Sequence, residues 1–294
     1  MVDPSARSRP AAVYVFGTCL IDTLFPEAGL CAMRLLRRAG LRVIYPQAQT
    51  CCGQPAFNSG YRDEARKVAR AQLAAFPLDL PIVVPSASCA GMLRLHYPEL
   101  FAAKEGRDVR NAGAVSDLAA KEGRDVRNAG AVSDSAATPD QARARAFSGR
   151  VYELTEFLYR VLDLPLEDRG PPLRVALHNS CSARREMGVT DATLALLGRL
   201  AQVEVVEPDH ASECCGFGGT FAVKQPEISA AMTGDKADAI AATKAEVLVS
   251  QDCGCLMSLG GTFARRAETG GPWPGSGPRV MHIAEFLWSR THGN

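Results

Sequence analysis

Cysteine recurs in this chain in two sets of one design. Cys19, Cys51-Cys52-Gly53 and Cys89 form the first set, and Cys181, Cys214-Cys215-Gly216 and Cys255 the second. The lone first cysteine is followed by 31 intervening residues before the double cysteine in one set and 32 in the other. From the glycine to the last cysteine there are 35 and 38. One ligand-gathering unit has been duplicated, which makes the chain in outline a two-site thiolate metalloprotein.

A length of 294 residues suits two ordinary domains, each large enough to bury its own core. Lys+Arg 33 against Asp+Glu 32 leaves a formal charge of +1, so there is no electrostatic case for nucleic acid. The apolar run from Ala11 to Ile21 is closed by Asp22 and is too short to span a bilayer, so no integral membrane segment is expected. It is read as a strand and not as an export signal, because Leu173-Arg-Val-Ala-Leu-His-Asn-Ser-Cys181 repeats the pattern mid-chain, where no signal acts. Ten cysteines without an export signal favour metal or redox chemistry over disulfide staples, and a cytosolic, cytoplasmic location.

Each half reads as strand, helix, strand, helix, strand, helix. Strands are expected at 12–16, 41–45 and 81–84, with helices at 30–39 and 63–76 between them. The second half repeats the order with strands at 173–177, 203–206 and 247–249 and helices at 190–201 and 228–243. Segments 151–158 and 280–287 correspond and close the two halves. This alternation predicts an α/β fold of two tandem pseudo-symmetric domains, 1–169 and 170–294, each with a mainly parallel sheet. Every cysteine group follows a strand, so all lie at strand carboxyl ends, the edge where open α/β sheets bind ligands.

One interruption stands apart. Residues 102–117 recur identically as 119–134, a period of seventeen. Two copies do not make a solenoid, and balanced charges with internal glycines read as a tandem insertion at 102–134 in a surface connection. The Gly/Pro-rich stretch 270–278 reads as a loop.

Thiolates are soft donors that suit iron–sulfur clusters and zinc, and four in one place satisfy either. Gly53 and Gly216 permit positive φ and close backbone approach beside each cysteine pair. Gly218 and Gly219 extend this with amides able to donate to cluster sulfur. Cysteines serving only as core packing, or as vicinal disulfides, fit two double cysteines at matched spacing poorly. Cys31 has no counterpart in the second half and reads as a core residue. Cys253 is either a fifth thiolate of the second site or a spare beside Cys255. His178 reads as a strand histidine, with a supporting role near Cys181 as the alternative. His210 has only a weak case for touching the site, and His96, His282 and His292 carry no argument.

The two sets resemble the paired cysteine-rich (CCG) domains of the heterodisulfide reductase family and its relatives. Within that group, Pro85-Ser-Ala-Ser-Cys-Ala-Gly-Met92, Glu213-Cys-Cys-Gly-Phe-Gly-Gly-Thr-Phe221 and Cys255-Leu-Met257 are closer to the LutA/YkgE branch. So are Tyr152-Glu-Leu-Thr-Glu-Phe157 and His282-Ile-Ala-Glu-Phe286. The fuller pattern ends each set in Cys-x-x-Cys; here Ser86 and Asp252 stand in the first cysteine's place. That departure counts against the five-cysteine clusters used for disulfide reduction.

The resemblance implies an iron–sulfur electron-transfer subunit, an oxidoreductase component of an L-lactate-oxidising complex. It implies one or two iron–sulfur clusters of the 4Fe-4S type, with zinc as an option in one domain. The ligand sets would be Cys19, Cys51, Cys52 and Cys89, then Cys181, Cys214, Cys215 and Cys255. Partners would be the other subunits of a lactate utilisation complex, including a ferredoxin-like Fe–S protein. Two alternatives stay open: a heterodisulfide-reductase-like thiol–disulfide reductase, and a zinc-bound scaffold without redox role.

Overall fold

The computed structural model describes residues 9–102, 138–269 and 277–292. All but the first residue of the tandem repeat, and most of the 270–278 loop, lie outside the described residues. Among the described residues no helix is long and apolar enough to cross a membrane.

Eight strands form two parallel four-stranded sheets. The first holds β1 (Ala12–Val15), β2 (Arg42–Ile44), β3 (Ile82–Val84) and β4 (Val151–Glu153) in the order β2-β1-β3-β4. The second holds β5 (Leu173–His178), β6 (Val203–Val206), β7 (Val247–Ser250) and β8 (Arg279–His282) in the order β6-β5-β7-β8. The topologies are identical, as a duplicated α/β unit requires. The closing segments 151–158 and 280–287, left untyped by periodicity, each supply an edge strand and then a helix. Three or four residues running straight into a helical pattern do not separate the two states.

The helices form where sequence and packing agree. Pro26–Arg38 opens on a proline, carries Glu27 in its first turn and Arg37 and Arg38 in its last, and so suits the helix dipole at both ends. Its buried residues Ala28, Cys31, Ala32, Leu35 and Leu36 repeat at helical spacing and make one apolar face. Cys31 is core, 3% exposed.

The two halves share one core between their sheets, and each also has an apolar cluster built mainly from its own residues on the other face of its sheet. Strand alternation sends Val13 and Val15 to one face of the first sheet, and Tyr14 and Phe16 to the other. Val13, Val15 and Val83 share a single apolar cluster with Val175, Leu177, Val247 and Val249 of the second sheet. The closing helices are exchanged: the one after β8 (Ile283–His292) packs on Pro26–Arg38 of the first half. The turns after β4 (154–161) pack on helix Thr190–Leu197 of the second. In addition to their own clusters, the sheets share one buried face, and the strand carboxyl ends of both are held opposite one another.

Candidate metal centre

Each cysteine of the two sets follows a strand. β1 runs into Thr18, whose Oγ1 accepts from the Ile21 amide and caps the helix beginning at Cys19. β2 leads to Cys51 and Cys52, and β3 to Ser86, which caps the short helix Ala87–Gly91 carrying Cys89. The second half repeats this: β5 precedes Cys181, β6 precedes Cys214 and Cys215, and β7 precedes Asp252 at the start of helix Cys253–Glu268, which carries Cys255.

One sulfur pair in each set stands close: Cys215 Sγ and Cys255 Sγ lie within 4.8 Å of each other in the second, and a pair from the first is closer still. Cys52 Sγ lies 3.4 Å from Cys89 Sγ. Two sulfurs on one tetrahedral metal with bonds near 2.3 Å would stand about 3.8 Å apart, so little movement separates this pair from a ligating one. Gly53 and Gly216, at φ of 83° and 81°, turn the chain so that their amides donate to Cys51 Sγ and Cys214 Sγ, each at 3.4 Å. The carbonyl of the second cysteine of each pair also accepts a bond: Cys52 from Tyr97 Oη at 3.0 Å, and Cys215 from Thr233 Oγ1 at 2.9 Å. All ten cysteines are free thiols, so no vicinal disulfide forms.

Crowding and burial make these thiols poor acids without a cation. Cys19 is pushed well up by its hydrogen bond to Cys51 and then by burial. Cys52 is pushed up by its bonds to Cys51 and Cys89 and by burial. Cys51, receiving bonds from Cys19, Cys52 and the Gly53 amide, is the exception and is pulled down. In the second set the bond from Cys181 pulls Cys214 down, but Cys215 and burial outweigh it. At Cys255 the bond with Cys215 is likewise outweighed by burial and by Asp252. Linked soft donors that resist losing their protons to water fit a metal group, which supplies the missing positive charge and releases protons on binding. Burial lowers the pKa of Lys236, only 2% exposed, while Glu213, Cys215 and Cys214 favour its charged form.

Both sets line one cavity of about 340 Å³ between the halves. Gly218 and Gly219, also at positive φ, form part of its wall. Cys253 lines it too, 2% exposed, its thiol pushed up by burial and then by Asp252, Glu285 and Cys89.

The two residues that depart from Cys-x-x-Cys meet each other. Asp252 Oδ1 accepts from Ser86 Oγ at 2.8 Å, from the Ser88 amide at 3.0 Å and from Ser88 Oγ at 2.8 Å. Oδ2 accepts from Ser180 Oγ. A carboxylate 3% exposed thus joins the ends of β3, β5 and β7 across the cavity floor. His282 makes a second tie. Its Nδ1 accepts from the Ala284 amide at 3.1 Å, so the proton sits on Nε2, which faces Pro85 O at 3.0 Å and Gln251 O at 3.1 Å. Burial pushes its pKa down to about 4.

Sequence reasoning passed over His282, and also His96, which lines the cavity between Glu99 at 3.2 Å and Glu186 at 3.7 Å and is pushed up to about 9 by Glu186 and then Glu99. Nothing local places either at the site, since Glu186 is distant in sequence from His96, and Pro85 and Gln251 from His282. His210 turns outward to Glu213 at 3.3 Å with its side chain 71% exposed. His178 is 2% exposed and has no hydrogen-bond partner at either ring nitrogen.

Comparison with known proteins agrees with this geometry. The cysteine-rich (CCG) domain model matches twice, at residues 13–94 and 175–260. The lactate utilization protein A of Geobacillus kaustophilus is 39% identical over 282 residues, covering 95% of this chain and 99% of the relative. That of Oceanobacillus iheyensis is 38% identical over 285 residues, covering 96% and 98%. Lactate utilization protein A 2 of Bacillus cereus is 34% identical over 275 residues, covering 94% and 97%. With two cysteine-rich domains and relatives matched over nearly their whole length, the chain belongs to the lactate utilization protein A family.

Proposed function

We propose that this chain is the iron–sulfur electron-transfer subunit of a complex that oxidises L-lactate to pyruvate. The observation that carries the reading is the single cavity onto which two complete four-cysteine sets open from opposite halves. Cys19, Cys51, Cys52 and Cys89 would hold one metal group, and Cys181, Cys214, Cys215 and Cys255 the other. An iron–sulfur cluster bound there supplies one-electron exchange, and two facing sites give a short path between them. The amides of Gly53 and Gly216 each donate to a ligand sulfur and so stabilise its negative charge. The Asp252 network and His282 hold the two sets at a constant separation.

Conversion of L-lactate to pyruvate releases two electrons and two protons. We assign the lactate-binding step to a partner protein, because no residue of this chain's cavity is a recognisable lactate-binding arginine. A ferredoxin-like iron–sulfur protein would be a further partner. The disulfide-reductase reading is disfavoured, because Ser86 and Asp252 bond to each other and neither offers a fifth thiolate.

The test is purification without oxygen, with iron, sulfide and zinc measured per chain and the visible spectrum recorded. Broad absorption near 400 nm, roughly halved in Cys215→Ser together with loss of growth on lactate, is the expected result, about four irons and four sulfides belonging to each site. A colourless protein loaded only with zinc would replace the relay with a zinc-bound scaffold.

A further inference from the structure

The duplication provides an internal control for His178. It lies three residues before Cys181, as Phe16 lies three residues before Cys19. The registers agree: Val15 pairs with Val83 in the first sheet, and Leu177 with Val249 in the second. In the first half Phe16 is fully buried, stacks on Phe76 at 5.7 Å, and belongs to the apolar face that includes Cys52 and Cys89. In the second half the same position, against the equivalent cysteines Cys215 and Cys255, carries an imidazole.

That exchange is costly unless the imidazole is used. His178 is 2% exposed, and neither Nδ1 nor Nε2 meets a donor or acceptor. A buried polar group without a partner is rare and unfavourable, whereas phenylalanine fits the equivalent place without penalty. One ring nitrogen, Cys215 Sγ and Cys255 Sγ all lie within 4.8 Å of one another. Among the described residues this is the one cluster of potential ligand atoms that mixes nitrogen with sulfur. Imidazole and thiolate together suit zinc, and also iron–sulfur centres in which histidine replaces a cysteine.

We propose that the second site is a mixed nitrogen–sulfur site, in which His178 binds the metal held by Cys215 and Cys255, while the first site is ligated by sulfur alone. This rests on the reading that the second cysteine set holds metal. His178 would add a neutral imidazole donor beside the thiolates of the second site, so the two sites are unequal in ligation.

The experiment uses the full chain prepared without oxygen, with [15N]imidazole-labelled histidine. Metal content is measured alongside pulsed paramagnetic resonance of the reduced protein, or X-ray absorption where the metal is zinc. Wild type, His178→Phe, His178→Gln, His96→Gln and Cys215→Ser are compared. The expected result is a strong histidine-nitrogen coupling, or a nitrogen in the zinc shell, that persists in His96→Gln. It disappears in His178→Phe and His178→Gln while the first-site signal is unchanged. Metal that Cys215→Ser removes, but that shows no histidine nitrogen in wild type, overturns the proposal and leaves the metal reading standing. Absence of any metal from the second set overturns both. The labelled wild type and His96→Gln decide the question even where the His178 variants do not fold.

Discussion

Ser86→Ala and Asp252→Asn, made singly and together, test whether the two departures from the cysteine pattern form a structural unit. Ser86 Oγ donates to Asp252 Oδ1 at 2.8 Å with both residues buried, so the bond is short, charge-assisted and poorly screened. Such a bond contributes about 1.5–3 kcal/mol. Asp252→Asn keeps one acceptor oxygen, which holds the bonds from Ser86 and Ser88 at about half strength, while the NH2 in place of Oδ2 no longer accepts from Ser180, for a loss of about 2 kcal/mol. Ser86→Ala removes its bond to Asp252 and the helix cap on the Cys89 amide at 3.4 Å, again about 2 kcal/mol. Because both changes weaken one shared bond, the double variant should fall short of their sum by about 1 kcal/mol. Asp252→Ala, which leaves the Ser86, Ser88 and Ser180 donors buried without an acceptor, should cost about 3–5 kcal/mol. The assay is urea unfolding followed by circular dichroism, with chelator and reductant present so that metal does not contribute. Strict additivity of the single changes, within about 0.3 kcal/mol, would refute the account of a carboxylate coupling the two halves.

The two pair-glycines should respond unequally to alanine. A Cβ at Gly216 would meet Ser229 O and Thr233 Oγ1 at 2.5 Å, whereas at Gly53 the nearest atom is Val68 Cγ1 at 3.3 Å. Both substitutions incur the strain of positive φ, about 1–2 kcal/mol, but thermal unfolding should show Gly216→Ala losing roughly twice as much or failing to fold. Burial raises Glu153 to about 7 from 4.5, so its folded form holds more protons and its contribution to stability is lost as pH rises from 4.5 through 7. Burial lowers His282 to about 4 from 6.5, with the opposite sign: its contribution is present above 6.5 and lost as pH falls through 4. Glu153→Gln should therefore gain about 2–3 kcal/mol at pH 8 and steepen the loss of stability below pH 6.5, measured by unfolding at a series of pH values. Cys253→Ser should leave second-site metal intact, because the ligand atoms gathered there are those of His178, Cys215 and Cys255. Loss of metal from the second site alone would show that Cys253 serves that site.

The duplicated cysteine spacing and the strand–helix order were legible from local pattern, and the parallel sheets followed from them. Each strand needs only its own alternation and each helix only its own face, so short windows carry the information. Cys31 likewise declared itself, lying on the apolar stripe of Pro26–Arg38 with no counterpart in the other set. The closing strands β4 and β8 did not, because three or four residues before a helix hold too little period.

What the tertiary structure alone decided lies where the halves meet. The Ser86–Asp252 bond joins residues 166 apart in sequence, and His282 reaches Pro85 across 197. No local pattern marks such partners, since each side chain looks ordinary until the shared core and the exchanged helices bring the strand ends together. His178 shows the same division. As sequence it is a polar residue in an apolar strand; only the fold reveals that neither nitrogen has a partner and that two thiols stand beside it. Ligand types and their spacing are written along the chain, but which side chains are left unsatisfied depends on what distant packing brings near.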